Sequence, residues 1–489
     1  MSDIKAKGIQ AFVWDLLGSL GSHASSFIVT IFLARLLEPS DFGAIAIIMV
    51  IVSIASVFSD IGLGGALIQR SKTLQIHFSS VFFFNIFAGL LLTLIAFFSA
   101  PWVAEYYNNP QLLPLIQVMS SLFTITAFHA VQSILLRKEL NYELLTKVNL
   151  IASVSSGIIG VALAFAGAGV WSLVAQLISR EIIINIVIWS KSSWIPKVAF
   201  SFKALKQLWR YGLNMFLAGL LDTIYERADY LIIGKLFTPA TLGFFHQAKQ
   251  LNMLVTQYSA GSLMSVLFPV LSKLQNDIEK FKRVVIKSTG IISFVTFLLL
   301  GGLYLVADEF ILILFGEKWI PTIFFFKIFI LSGFAYPISA LMVNVLSSRG
   351  KSKDFLRLEI YKKIIQTANL YILYAFGMDV FLYSLILSSI LGTSLNIFFA
   401  TREIGLSFWS VTKPILVQTV ITIGIVLLVQ YLVVGDQLPN IVMLLIKGFL
   451  FLIIYLLINW SLKIQSFEYF LEQFKSALEM LKRRREKNA

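Results

Sequence analysis

Arg35-Leu36-Leu37-Glu38-Pro39, with Phe42-Gly43 just beyond, recurs two hundred residues later as Lys235-Leu236-Phe237-Thr238-Pro239 with Leu242-Gly243. A basic residue, Leu, Pro and Gly coincide at one offset. Each stretch closes one apolar run of helical length and opens the next, so each reads as the turn of a hairpin. The proline ends the first helix and presets the backbone for the first turn of the second. Two such hairpins at matching places divide most of the chain into two blocks of six apolar runs. Six is even, so both blocks cross a membrane in the same sense, related by a pseudo-two-fold axis along its normal. Transporters built from such parallel halves bind substrate between them and rock to alternate access.

On either side of these turns the composition is that of a membrane protein. About 58% of the 489 residues are apolar and 13% charged, against roughly 25% charged in an ordinary soluble domain. Apolar runs of about 20 residues recur along the whole chain, each long enough to cross a hydrocarbon layer of about 30 Å as a helix. The runs place spans near 11–35, 42–68, 76–100, 112–136, 147–166, 168–190, 208–236, 241–271, 287–306, 322–347, 358–377, 380–401, 413–434 and 440–462. Asn108-Asn109-Pro110 and Leu438-Pro439 mark further turns, while Gly167, Gly169 and Gly377 are the only signals at two other connections.

The expected fold is therefore all-α: a polytopic membrane protein of about fourteen transmembrane helices. Its expected domains are an N-lobe at 1–190, a linker at 191–207, a C-lobe at 208–402, an appended helix pair at 403–462 and a tail at 463–489. The first apolar span, Phe12 to Leu33, is longer than a signal-peptide core and lacks a small-residue cleavage site, so it is expected to stay.

The net charge of +14 is a topology signal and does not point to nucleic acid. With the N-terminus cytoplasmic, most Lys and Arg fall in cytoplasmic loops: Lys5 and Lys7, Arg70 and Lys72, Arg137, Lys138 and Lys147, then 191–210, 273–287, 349–363, Arg402 and Lys413, and the tail. The outer loops hold Arg35, Lys235, Lys318 and, at its edge, Lys327. A miscount by one helix would scramble this alternation, so the positive-inside bias supports fourteen spans with both ends inside. In the tail, Phe467, Phe470, Leu471, Phe474, Leu478 and Leu481 recur at helical spacing before Lys482, Arg483, Arg484 and Arg485. That pattern reads either as an amphipathic helix on the cytoplasmic leaflet or as a solvated basic tail.

Ionisable groups at membrane depth cost several kcal/mol and face a partner or a wet cavity. Span 7 is richest, with Asp222, Glu226, Arg227 and Asp229. Spacings of four and seven put the three carboxylates on one stripe. Span 8 adds His246 and Lys249, and Arg227 and Lys249 lie at similar depth on either side of the hairpin turn. The cluster reads either as ion-paired glue or as a cationic floor for an anionic headgroup, balanced by carboxylates that titrate. Arg180 and Glu181 in span 6 read equally as a local pair or as an Arg facing a cavity. Asp60 reads first as a helix-end cap and second as a coupling carboxylate. Asp15 and His129 stand alone and read as satisfied by neighbours, and Lys447 as paired or snorkelling. There is no cysteine, no phosphate-cradling glycine loop and no metal-ligand spacing. No cofactor, metal or catalytic apparatus is expected.

Leu33-Ala34-Arg35-Leu36-Leu37-x-Pro-x-Asp41-Phe42-Gly43, with Gly62-Leu63 and Ala66-Leu67-Ile68-Gln69, resembles the N-terminal signature of the polysaccharide transporters. These are the flippase branch of the multidrug/oligosaccharidyl-lipid/polysaccharide exporter superfamily. Arg227-x-Asp229-x-x-Ile232-Ile233-Gly234-Lys235, with Leu242-Gly243, Ala248 and Leu251, resembles its span 7–8 signature. The resemblance covers most of the chain. It implies a carrier that moves undecaprenyl-diphosphate-linked oligosaccharides from the cytoplasmic to the periplasmic leaflet of a bacterial inner membrane, through a cationic cavity between two lobes. Fourteen helices point to the branch serving exopolysaccharides such as colanic or teichuronic acid. Lipid II flippases carry Arg inside their first two helices. Here no basic residue stands between Lys7 and Arg35 or between Arg35 and Arg70, which counts against a peptidoglycan substrate.

The expected substrate-binding residues are Arg227, Lys249, Arg180 and His246. The expected ion-coupling carboxylates are Asp229, Glu226, Asp222 and Asp60, taking a proton or sodium. Membrane lipids and other polysaccharide assembly proteins are the expected partners. A cation-coupled drug exporter would favour an acidic, aromatic cavity. A polysaccharide polymerase or ligase would need a sizeable outer loop.

Overall fold

The computed structural model describes residues 2–60, 63–70, 72–433 and 438–488, apart from some helical side chains, among them those of 254–266. Every regular element among the described residues is a helix. The chain forms two compact units, Met1–His246 and Gln247–Ala489. The first holds α1 (Ser2–Leu36), α2 (Pro39–Asp60), α3 (Leu63–Gln69), α4 (Gln75–Tyr106), α5 (Leu112–Met119), α6 (Ser121–Lys138), α7 (Tyr142–Phe165), α8 (Trp171–Lys191), α9 (Phe202–Leu236) and the start of α10 (Pro239–Lys273). The second continues α10 and holds α11 (Ile278–Leu305), α12 (Ala307–Phe315), α13 (Ile320–Gly333), α14 (Tyr336–Ser348), α15 (Ser352–Ile404), α16 (Phe408–Leu432), α17 (Asn440–Ser461) and α18 (Gln465–Asn488).

Both repeated turns are built as read, with a proline opening the second helix, but they are capped by different chemistry. At the first, the Asp41 carboxylate accepts the Glu38 backbone N–H at 3.1 Å, and its negative charge suits the N-terminal end of α2. At the second, the Thr238 hydroxyl oxygen accepts the Thr241 N–H at 3.1 Å, an ordinary threonine N-cap. Within the first unit these turns touch reciprocally. A Cβ on Gly43 would overlap the Pro239 carbonyl oxygen, and a Cβ on Gly243 would overlap that of Pro39. Only hydrogen fits at either place, which explains why glycine belongs to the repeat.

The first unit is also held by a small-residue seam between α1 and α7. A Cβ on Gly18 would meet Thr146, one on Gly21 would meet Leu150, and one on Gly157 would meet Val29. The Ser26 and Ser153 hydroxyls lie 3.3 Å apart. The partners rise together along both helices, so α1 and α7 run parallel, as a first and a fifth span must. Small residues let helix backbones approach where no hydrophobic force drives association in lipid.

In the second unit, α16 and α17 join α11 through buried polar side chains. The Gln418 amide donates to Asn459 Oδ1 at 2.7 Å, and the Tyr455 hydroxyl donates to the Phe294 carbonyl at 2.9 Å. Lys447 of α17 pairs with Glu309 of α12, both nearly buried, which selects pairing over snorkelling.

Among the described residues, eleven helical stretches are long and apolar enough to cross a membrane. One of them runs through α15, which bends at Gly377, where φ is 82°. Of span 2, the described residues comprise α2, up to Asp60, and α3, from Leu63. The third span runs past Pro101 to Tyr106. In the tail, α18 docks on protein. The rings of Phe467 and Phe470 lie 5.3 and 5.1 Å from that of Phe294, and Lys287 pairs with Glu472 at 2.7 Å. Phe474 remains exposed. The side chains of Leu478, Leu481 and the Lys482–Arg485 run lie outside the described residues.

Candidate functional site

The charged face of span 7 lies on α9, a helix of 35 residues. Asp222 and Glu226 are exposed, Arg227 and Asp229 are half-buried, and Tyr230 is buried. Tyr230 is the hub. The Arg227 guanidinium lies 5.7 Å from its ring centroid. Phe245 and His246, from the first turns of α10, pack on the same ring edge-on with centroids 5.5 and 5.7 Å away. The Tyr230 hydroxyl lies 3.4 Å from His246 Nδ1, and the Tyr230 backbone N–H donates to Asp229 Oδ1 at 2.9 Å. Of the expected site residues, Arg227, His246 and Asp229 are therefore gathered on one tyrosine. The Arg227 guanidinium thus meets Tyr230 both at cation–π range of its ring and through a side-chain hydrogen bond. Lys249 follows His246 by about one turn of α10 and is half-buried. The Asp60 side chain lies outside the described residues.

A model of the family described as polysaccharide biosynthesis protein matches residues 32–324, a stretch that contains both turns and this cluster. The chain belongs to that family. The succinoglycan biosynthesis transport protein ExoT of Rhizobium meliloti is 26% identical over 308 residues, 63% of this chain and 62% of that protein. The teichuronic acid biosynthesis protein TuaB of Bacillus subtilis is 25% identical over 304 residues, 61% of this chain and 62% of that protein. The matched stretch thus spans about three fifths of the length of these two relatives. Among solved structures, that of the lipid II flippase MurJ in an inward closed conformation superposes with a TM-score of 0.71 at 16% identity, covering 91% of this chain and 99% of that one. The likeness establishes the fold. Resemblance to the polysaccharide transporters, read from two short signatures, is borne out by the family match.

Arg180 occupies a second cluster, between α8 and α6. Its guanidinium pairs with Glu181 at 3.3 Å, and the other Glu181 oxygen takes His129 Nε2 at 3.0 Å. His129 Nδ1 faces the Ser133 hydroxyl at 3.3 Å. His129 is thus satisfied by a neighbour, as expected, but that neighbour is a carboxylate already engaged by an arginine. The sequence carried a faint signal of this: a histidine near the middle of one span and an Arg-Glu pair near the middle of another.

The second unit also holds an open apolar pocket of about 540 Å³, bordered by Phe297, Tyr304, Phe334, Ile390 and Ile423, with no charged side chain among its described lining. It is chemically unlike either cluster.

Proposed function

We propose that this protein is a flippase that carries an undecaprenyl-diphosphate-linked oligosaccharide from the cytoplasmic to the periplasmic leaflet of a bacterial inner membrane, by alternating access. The observation that carries the reading is the guanidinium of Arg227 held on Tyr230 at membrane depth, with His246 and Lys249 on the adjoining helix. An arginine edge matches phosphate oxygens in a planar fork, and a lysine adds a compact charge. Family membership and the transport function in the printed name of one relative support the same reading.

The proposed topology has both termini in the cytoplasm and fourteen spans. Dividing α15 at Gly377 and adding the charged α9 and the adjoining α10 to the eleven apolar stretches makes that number. The lobes proposed are 1–190 and 208–402, with 403–462 appended. The native chain contains no cysteine, so single introduced cysteines report sidedness directly. Labelling from outside is expected at position 108 and not at position 351.

The test of function is glycan export in cells that lack their own flippase. Arg227→Ala and Lys249→Ala are each expected to lower export by about tenfold or more, the scale of one charge-assisted contact, with protein levels in the membrane unchanged. Normal export by the double variant would refute the role given to these residues.

A further inference from the structure

We propose that Arg180, Glu181 and His129 form a second anion site whose affinity is set by protonation of His129: a phosphate or diphosphate ester binds Arg180 when the imidazole is charged and leaves when it is neutral. The proposal takes from the flippase reading only the identity of the anion. Its geometry stands separately, within the first unit.

Arg180 stands near the midpoint of the 21-residue α8, roughly 14 Å from its start at about 1.5 Å per residue. Its side chain is 40% exposed, whereas Glu181 and His129 are exposed only 16% and 15%. A guanidinium turned outward at mid-membrane faces either lipid or water, and lipid is far the costlier. The exposed edge of Arg180 therefore opens on a wet space that an anion can reach. The pair behind it is fixed. Asn185, one turn along α8, donates to the Ile125 carbonyl of α6 at 2.8 Å, and the indole N–H of Trp189 donates to the Phe128 carbonyl at 3.1 Å.

The hydrogen bonds accommodate both charge states of the histidine. In the neutral form Nε2–H donates to Glu181 and Nδ1 accepts the Ser133 O–H. On protonation the new Nδ1–H donates to the Ser133 oxygen, whose hydrogen rotates away, and no heavy atom has to move. The charge of the triad changes from zero, with Arg180 neutralised by Glu181, to plus one, with Glu181 shared between two cations. An anion at Arg180 then meets a net positive site where it previously met a compensated one. By linkage, the bound anion favours the protonated histidine by the same factor.

Among the described residues of the elements packed on α6 and α8, the other charged groups lie toward the helix ends. The elements packed on α6 are α2, α3, α4, α5, α7 and α8. Asp41 and Asp60 lie at the two ends of α2, and His77 and Glu105 near the two ends of α4. Glu143 and Lys147 pair with each other near the start of α7. Arg137 and Lys138 end α6, Lys191 ends α8, and α3 and α5 carry no ionisable residue.

The experiment measures binding of farnesyl diphosphate, and separately of inorganic pyrophosphate, to the purified full-length protein at pH 6 and pH 8. Wild type is expected to bind farnesyl diphosphate about tenfold more tightly at pH 6, within the range of one coupled site. His129→Gln keeps a donor for Glu181 but cannot titrate, so it should remove the pH step, and Arg180→Ala should weaken binding at pH 6 most. Ionisation of the probe itself enters wild type and variants alike. Displacement by pyrophosphate would show that the diphosphate alone is read, and failure to displace would show that the prenyl ester is required. Either accords with the proposal when the step depends on His129. Equal affinity at the two pH values, or a step that survives His129→Gln, overturns it. Export that is indifferent to Arg227→Ala while the His129-dependent step persists would instead count against the flippase reading alone.

Discussion

Gly43 and Gly243 could be found in the sequence as a repeat, but the reason for them could not. Matching letters at one offset give two similar turns, and say nothing about the turns meeting. The structure supplies the reason: each glycine faces the carbonyl oxygen of the other turn's proline, with no room for a methyl group. Gly43→Ala or Gly243→Ala is therefore expected to cost about 1–3 kcal/mol, as overpacking does. The readout is a lowered midpoint of thermal unfolding in detergent. The double variant should cost less than the sum, because both changes push apart the same contact. An unchanged midpoint would mean that the contact is dispensable. Two other residues show what a sequence hides at this scale. Tyr230 carries no signal in the sequence; its part comes from three neighbours that converge on one ring. For His129 the sequence implies a satisfying neighbour but cannot name it, because Glu181 lies on another helix.

Whole helices were legible from apolar runs because lipid demands such runs, but their ends were not. The run of span 9 begins near residue 287, whereas α11 begins at Ile278, where Asp277 caps it by accepting the Lys280 N–H at 3.1 Å. Those charged first turns carry no hydropathy signal. The apolar run of span 3 ends near residue 100, yet α4 passes Pro101 and continues to Tyr106, since a proline is tolerated in a membrane helix when neighbouring groups satisfy the freed backbone. The tail helix showed its apolar face but not what covers it, and part of that cover is Phe294. The joint between α12 and α17 was half legible: Lys447 stood out in an apolar run, while Glu309 did not. Glu309 is 6% exposed, so removing it strands a buried ammonium. Glu309→Ala is expected to destabilise by about 3–5 kcal/mol, and Glu309→Leu with Lys447→Met to recover most of that loss. Denaturation of the three proteins in one detergent decides the matter. A single variant as stable as wild type would show that the pair is solvated.

At the scale of the molecule, the proposed flipping must acquire a direction. On the proposed function, two sources of direction are an ion gradient and the removal of product by later enzymes. An ion gradient needs a titratable or sodium-binding group beside the substrate charge. Asp222, Glu226 and Asp229 run along α9 on the helix that also presents Arg227, with Asp229 half-buried and the other two exposed. Burial disfavours the ionised form of a carboxyl group and a neighbouring guanidinium favours it, so a change of exposure shifts the balance between them. A carboxylate that is ionised when open to one side and protonated, or sodium-bound, when open to the other would tie one translocation to one ion. The opposing expectation is a set permanently ionised, which only balances the basic residues. Reconstituted protein separates the two. Under the coupled scheme, flipping of a fluorescent polyprenyl diphosphate should follow an imposed proton or sodium gradient. Asp229→Asn should still flip, but at a rate indifferent to that gradient. If wild type flips equally well with every gradient collapsed, the carboxylates are structural and direction comes from consumption of the product.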